Sequence, residues 1–249
     1  MKALSRLVLL VLLAGLALQL YFVGRIALMA VLNPESSAFQ RSEAYLIAKN
    51  TGALKWRQQW VPYAQLSDNL KRAVIASEDA SFSLHDGVDI EALEKAWEKN
   101  ARAEQRAAQS GSRLSPAQSR ATLVKAPKII GGSTITQQLA KNLFLSGERT
   151  LLRKGQELML TLLLEGLLDK QRILELYLNN VEWGEGVFGA EAAAQHYYRK
   201  PAARLSAVEA ARLAVMLPRP KYFETRLNSG YLASRAGTIA ARMGGVELP

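Results

Sequence analysis

An unbroken apolar run near the start of the chain limits what the rest can fold into. From Leu7 to Val23 the only clearly polar side chain is Gln19, and after Gly24-Arg25 the run resumes as IALMAVL to Leu32. A bilayer core is crossed by about 20 apolar residues in a helix, so this stretch meets the length of a membrane span. Lys2 and Arg6 precede it, which places the N-terminus in the cytoplasm. Arg25, near the far end, can snorkel to the interface. A cleaved signal peptide is the competing reading, but the run is long for one and no clear A-x-A site follows. Residues 1–32 are therefore expected to be a cytoplasmic N-terminus and an uncleaved anchor. Everything after Asn33-Pro34 is expected on the other side of the membrane.

The remaining residues suit one domain. The whole chain has 249 residues, half of them apolar, and a formal net charge of +10. Without residues 1–32 there are still 29 basic against 22 acidic residues, so the outer part is cationic in its own right. That balance favours anionic partners. Cysteine is absent, which excludes disulfides and thiolate metal sites. With only His85 and His196 available, a histidine-rich zinc centre is also excluded.

The outer part reads as mostly α. Residues 33–64 form a connector, and 39–63 are expected to be extended and loop-rich, with an Asn-Thr-Gly turn. From Ser67 the period becomes helical, with Leu70, Val74 and Ile75 on one face. Asp89 can cap a helix carrying Ile90, Leu93 and Trp97; Ile135, Leu139 and Leu143 share the face of another. Ser206 and Glu209 have the spacing of a capping box. Residues 101–128 hold six basic residues and one acid, and read as a basic insertion with a helix start at SPAQ. A solvated surface loop explains that insertion as well as a substrate role does.

Three stretches carry candidate chemistry. In AVIASEDASFSLHDGVD an apolar helical run ends in Glu78 and Asp79, followed by Phe82, His85, Gly87 and Asp89. In GGSTITQQLAKN a glycine pair precedes Ser133 and Thr134, either able to cap the next helix, with Gln137, Gln138 and Lys141 on its first turns. In GERTLLRKGQELML the cations Arg149, Arg153 and Lys154 precede Glu157, with Arg153 and Glu157 at i,i+4. A surface ion pair accounts for the last pattern equally well. Neither a P-loop nor a G-x-S-x-G elbow is present. Glu165 and Glu175 read as structural acids. A partly buried acid pair, an amide-and-lysine loop and a basic cluster beside another acid suit sugar transfer from a polyprenyl diphosphate. A base takes a hydroxyl proton and cations hold the departing diphosphate.

On these stretches the chain resembles the peptidoglycan glycosyltransferases of glycosyltransferase family 51. EDASFSLHDGVD, GGSTITQQLAKN, RKGQE through LLLE, KQRILELYLNNVEWGEGVFGAEAAAQHYY and LSAVEAARLAVMLPRP match its five motifs in order, over roughly residues 65–220. The resemblance implies a lysozyme-like, mostly helical domain over residues 65–249, with a small mobile lobe near the membrane. It implies lipid II as substrate, with the growing glycan strand as the second one. Glu78 is then the general base on the acceptor 4-hydroxyl, with inversion at C1, and Glu157 the second carboxylate, on the diphosphate side. Lys141 and Arg149 match family cations that hold the phosphates, and Arg153 lies in the same cluster. Ser133, Gln137 and Gln138 match the substrate-lining motif, Asp79 and Phe82 shape the site around Glu78, and His85 is read as structural. The implied setting is the bacterial inner membrane with a periplasmic catalytic domain, membrane lipid and other cell-wall synthesis proteins as neighbours, and no nucleic acid. No cofactor is obligatory; a divalent cation such as Mg2+ is admissible at the diphosphate. No transpeptidase segment follows Pro249, so the monofunctional type is expected. Two features depart from the family pattern: the insertion before Gly131 is long, and Gln156 stands where some members carry a lysine. A hydrolase also uses two carboxylates, but needs neither the anchor nor the cations. A silent scaffold would not need Glu78, Lys141 and Glu157 together.

Overall fold

The computed structural model describes residues 2–112, 132–145 and 150–249. The expected SPAQ helix start, most of the basic insertion and Arg149 lie outside these residues.

Helix α1, Lys2–Leu28, coincides with the expected apolar run and is long and apolar enough to cross a membrane. Its first nineteen residues leave nearly every side chain exposed, as suits a helix whose solvent is lipid. Its last turns behave differently. Phe22, Ile26 and Met29 are buried and belong to the same apolar cluster as the centre of the domain. The Phe22 ring meets Phe144 edge-on, with centroids 5.4 Å apart.

The connector differs from the extended reading. Residues Ala38–Thr51 form helix α2. The cause is local and was present in the sequence: Ser37 and Gln40 make a reciprocal capping box, and Gln40, Ala44 and Ile47 are buried at helical spacing. The expected turn survives as the helix end, where Gly52 adopts φ 71°. The following residues are extended. Arg57 bonds through its backbone to Gly186 and Phe188, joining the edge of the small sheet.

Helix α3, Asp68–Glu78, buries Leu70, Ala73, Val74, Ile75 and Ala76. Helix α4, Ile90–Ser112, starts at the expected Asp89 cap, whose carboxylate accepts the Ala92 amide at 2.7 Å. Its apolar stripe does not face the core: Ile90, Leu93 and Trp97 are exposed, and Ala96 is the buried position. The helix also runs into the expected insertion as far as Ser112. Helices α5 (Ile135–Phe144), α6 (Leu151–Leu167) and α7 (Lys170–Asn180) pack on one another, with α2 against α5 and α1 against α6. A two-stranded antiparallel hairpin follows: β1, Glu182–Gly184, and β2, Val187–Phe188. Helix α8 (Ala190–Tyr198) leads to α9 (Ala207–Met216), which opens with the expected Ser206–Glu209 capping box. Short α10 (Pro220–Glu224) precedes α11 (Gly230–Arg242). Helix α9 packs on both α3 and α11, which holds the apolar face of α3 at the centre.

A buried asparagine fastens the connector to this core. Asn179 accepts the Val61 amide at 2.8 Å and donates to the Val61 carbonyl at 2.9 Å, as a strand neighbour would. Glu175, one turn back, accepts from Trp60 and from the Tyr63 amide and pairs with Arg172. That is a structural place for this acid.

Gly189, at the start of α8, has φ 82°, and a Cβ there would come within 2.7 Å of the Asn179 carbonyl oxygen. Gly189→Ala is therefore expected to destabilise the fold by more than about 1 kcal/mol, because it adds backbone strain to a clash with main chain that cannot move aside. Chemical denaturation of the detergent-solubilised protein checks this; an unchanged midpoint would contradict it.

Candidate active site

The site begins where α3 ends. Glu78 is the last residue of that helix and Asp79 its cap. The two adjacent acids are put to different uses. Asp79 is buried, and both of its oxygens have partners: Oδ1 lies 2.9 Å from His85 Nε2, and Oδ2 accepts the Ile135 amide at 3.0 Å. The Ile135 amide is a free donor at the start of α5, so the carboxylate also meets the positive end of that helix. His85 in turn accepts from the Gly87 amide through Nδ1 at 3.1 Å. His85 thus has the structural place expected of it.

The turn after Glu78 is fitted closely to α6. Gly87 has φ 85°, and a Cβ there would come within 2.8 Å of Thr161 and Glu165 side-chain carbons. The Gly87 carbonyl accepts from the Thr134 hydroxyl at 2.7 Å, and Thr134 also caps α5 through Gln137. Of the two capping candidates, Thr134 caps α5 and Ser133 remains exposed. Phe82 lies wholly inside the core, with the Lys170 ammonium 4.6 Å from its ring centre. The structure gives Phe82 no surface toward a substrate; it supports the wall behind Glu78. Asp79 holds two segments together and also borders the larger cavity beside Glu78. Lys170 also bonds Glu165 at 2.9 Å, and Thr136 donates to the same carboxylate at 2.6 Å, a structural role for Glu165.

Glu78 is left to face the cleft. It is partly buried, and one carboxylate oxygen accepts from Gln138 Nε2 at 3.1 Å. Gln138 Oε1 accepts from the Tyr177 hydroxyl at 3.0 Å. Tyr177 is fully buried; burial, then the charges of Glu78 and Asp79, push its hydroxyl well above the usual range, so it remains a donor. The Tyr177 donor fixes which end of the Gln138 amide meets Glu78. Sequence reasoning placed Gln138 at the substrate and missed Tyr177; only the fold brings α3, α5 and α7 together. Burial raises the Glu78 carboxyl above its ordinary value; the bonds from Gln138 and Ser77 oppose this, and the Asp79 charge adds to it.

Two cavities meet here. The larger, about 800 Å³, is lined by Glu78, Ser81, Lys95, Lys99, Ser133 and Arg242 among others. The second, about 470 Å³, lies beyond Ser133 and is lined by Gln137, Lys141, Arg153, Lys154 and Glu157, with Glu43 of α2 on its rim. Ser133 borders both. Glu157 is buried, with Arg153 Nη1 at 3.3 Å and Lys154 Nζ at 2.5 Å. Among the described residues, Arg153 Nε is buried with no acceptor. The expected site residues thus separate into two chambers. Lys141, Arg153, Gln137 and Glu157 line one; Glu78 faces the other; Gln138 lines the smaller chamber and bonds Glu78. Asp79, His85 and Asp89 bring ligand atoms within 4.8 Å of one another, as a metal would require. Asp79 and His85 bond each other there, and Asp89 accepts from Ser81, so hydrogen bonds satisfy the group.

With this geometry in place, comparison with known proteins gives a consistent answer. The family model described as Transglycosylase matches residues 46–126 and 116–244. A biosynthetic peptidoglycan transglycosylase of Burkholderia thailandensis is 55% identical over 236 residues, 95% of this chain and 84% of the relative. Proteins of the same description from Burkholderia pseudomallei and Burkholderia orbicola are 54% and 51% identical over 236 residues, covering 84% and 87% of their own lengths. The chain belongs to the transglycosylase family, and with that family goes the lysozyme-like, mostly helical class expected for it.

The raised Glu78 carboxyl has a consequence for stability. A carboxyl that holds its proton more tightly when folded loses stability as pH rises through the interval between its unfolded value, near 4.5, and its higher folded value. Ionised Glu78 therefore destabilises the folded protein at neutral pH. Glu78→Gln is expected to raise the melting temperature at pH 7, with the gain shrinking as pH falls from the folded value toward 4.5 and lost below it. Melting curves across that range check the sign; a Gln variant less stable at pH 7 would contradict it.

Proposed function

We propose that this member of the transglycosylase family polymerises lipid II into glycan strands of the bacterial cell wall and releases undecaprenyl diphosphate. The observation that carries the reading is the pair of joined chambers, one holding a carboxylate with a raised pKa and the other a cation cluster that has a buried donor to spare. The acceptor sugar enters the larger chamber and presents its 4-hydroxyl to Glu78. Glu78 takes the proton as the oxygen attacks C1 of the donor. A C1–O4 bond forms, the bond from C1 to the diphosphate oxygen breaks on the opposite face, and the configuration inverts. The leaving diphosphate carries away the electron pair, and Glu78 later loses its proton to solvent.

Burial makes Glu78 a stronger base than an exposed carboxylate, and Gln138, held by Tyr177, aims it. In the second chamber Arg153, Lys154 and Lys141 meet the diphosphate. Glu157 pairs with two of these cations in the resting site and offsets one of their two charges, which eases their mutual repulsion. The unpaired Arg153 Nε supports an anionic ligand there, since a buried donor costs stability until an acceptor arrives. Arg149, outside the described residues, joins this proposal through its motif match alone. No obligatory cofactor enters the scheme; adding a chelator to the assay reads out any need for Mg2+ at the diphosphate. The apolar anchor and Lys2 and Arg6 before it support a single-pass inner-membrane protein with its catalytic domain in the periplasm.

The test is turnover of lipid II by the purified full chain, with the product challenged by a glycan-digesting enzyme. Polymer that the enzyme degrades supports transfer; release of sugar without polymer would replace it with a hydrolase. Glu78→Gln is expected to lower the rate by about 10²- to 10⁴-fold, the usual contribution of a general base. In the parent, kcat/KM should fall on the acid side at a pH above 4.5, following the raised carboxyl.

The cations should act on charge that grows as the C1–O bond breaks. Lys141→Ala and Arg149→Ala are expected to lower the saturated rate by about 10²- to 10³-fold. If they served only to steer an anionic substrate, salt would screen the effect and the saturated rate would hold.

A further inference from the structure

Between Leu7 and Leu20 the anchor carries a single polar side chain, Gln19, and from Lys2 to Leu20 it alone is partly buried while the others are exposed. Opposite it stands Gln156 of α6, the residue next to Glu157. The two amides exchange hydrogen bonds: Gln19 Nε2 donates to Gln156 Oε1 at 3.1 Å, and Gln156 Nε2 donates to Gln19 Oε1 at 3.3 Å. Gln19, Phe22, Ile26 and Met29 follow one another at three- and four-residue spacing, so the pair begins the stripe by which α1 lies on the domain. A second attachment closes the other end. Arg172 donates to the Met29 carbonyl at 2.7 Å, the Leu32 carbonyl at 2.9 Å and Asn33 Oδ1 at 2.8 Å, taking up carbonyls that the end of α1 leaves without helical partners. The attachments lie about 15 Å apart along the helix axis.

Apolar contacts alone leave a helix free to slide or turn in lipid, because tails are as apolar as leucine. A reciprocal amide pair has one good geometry, and in lipid each amide lacks water as an alternative partner. We propose that Gln19 is a positioning residue: its pair with Gln156 fixes the rotation of the anchor on α6, and so fixes Arg153 and Glu157 relative to the membrane from which the diphosphate arrives. The proposal rests on the diphosphate reading of the second chamber. It also gives Gln156, which departs from the lysine of some family members, a partner on the anchor.

The absence of cysteine makes the contact directly testable. Gln19→Cys/Gln156→Cys in isolated membranes should be bridged by dibromobimane, which fluoresces on joining two thiols. Leu20→Cys/Gln156→Cys, with Leu20 exposed and on the side of the helix opposite Phe22, should stay dark. In proteoliposomes supplied with lipid II, Gln19→Leu should lower kcat about three- to tenfold, the range a membrane amide pair is worth, with KM little changed. Gln19→Asn should recover part of the loss, and Gln19→Leu/Gln156→Leu should be no worse than either single change. A dark Gln19→Cys/Gln156→Cys protein, a wild-type kcat in Gln19→Leu, or additive losses in the double variant would each overturn the proposal. If the parent fails to polymerise lipid II, the function proposed above falls and the positioning of Glu157 with it, while bridging still decides whether the anchor is clamped.

Discussion

The site depends on one buried carboxylate. Asp79 accepts the first amide of α5 with one oxygen and meets His85 with the other. Through it the end of α3, the turn that follows and the start of α5 become a single unit. Without a partner there, the Ile135 amide would be an orphan donor at a buried helix terminus, and Asp79 a buried charge, each costly alone. Together they satisfy each other and leave the neighbouring acid, Glu78, to point into the cleft. Two consecutive acids thus divide the work: one is consumed in holding the structure, the other stays available to react.

The same economy runs through the polar residues around them. Gln138 accepts from Tyr177 and donates to Glu78, so a buried hydroxyl on α7 orients a carboxylate on α3 through a side chain on α5. Gln137, one residue earlier, spends its carbonyl oxygen on the Thr134 amide as part of a helix cap while lining the second chamber. Both glutamines line the second chamber, but only Gln138 reaches Glu78, because successive helical positions point about 100° apart.

What could be read from the chain alone was whatever depends on local spacing. The anchor, the buried face Leu70–Val74–Ile75, the Asp89 cap and the Ser206–Glu209 box all follow from patterns within a few turns. The extended reading of residues 39–63 failed where a local signal was present but outweighed. Ser37 and Gln40 carry a capping box, yet the Asn-Thr-Gly turn pointed to an extended, loop-rich connector. Missing α2 also hid Glu43 on the rim of the second chamber. The apolar stripe Ile90–Leu93–Trp97 has the spacing of a core face and yet lies exposed, because spacing shows that a face is apolar and not what covers it. The partners of Gln138 and Asp79 lie 39 and 56 residues away, and those of Gln19 137 residues away. No local pattern encodes such pairs, although a lone glutamine in an apolar run is a sign that one exists.

The burial of Phe22, Ile26 and Met29 in the central apolar cluster has a consequence for how the protein comes to exist. These side chains belong to the anchor, yet they fill space inside the domain. The core is therefore complete only when the membrane segment has been placed beside it. During synthesis this helix emerges first, so the later helices close onto a segment that is already made. A chain cut before Asn33 would fold around a missing wall, with α6 and Phe144 open to water where lipid and anchor should be. Loss of the first helix would thus remove part of the domain's interior.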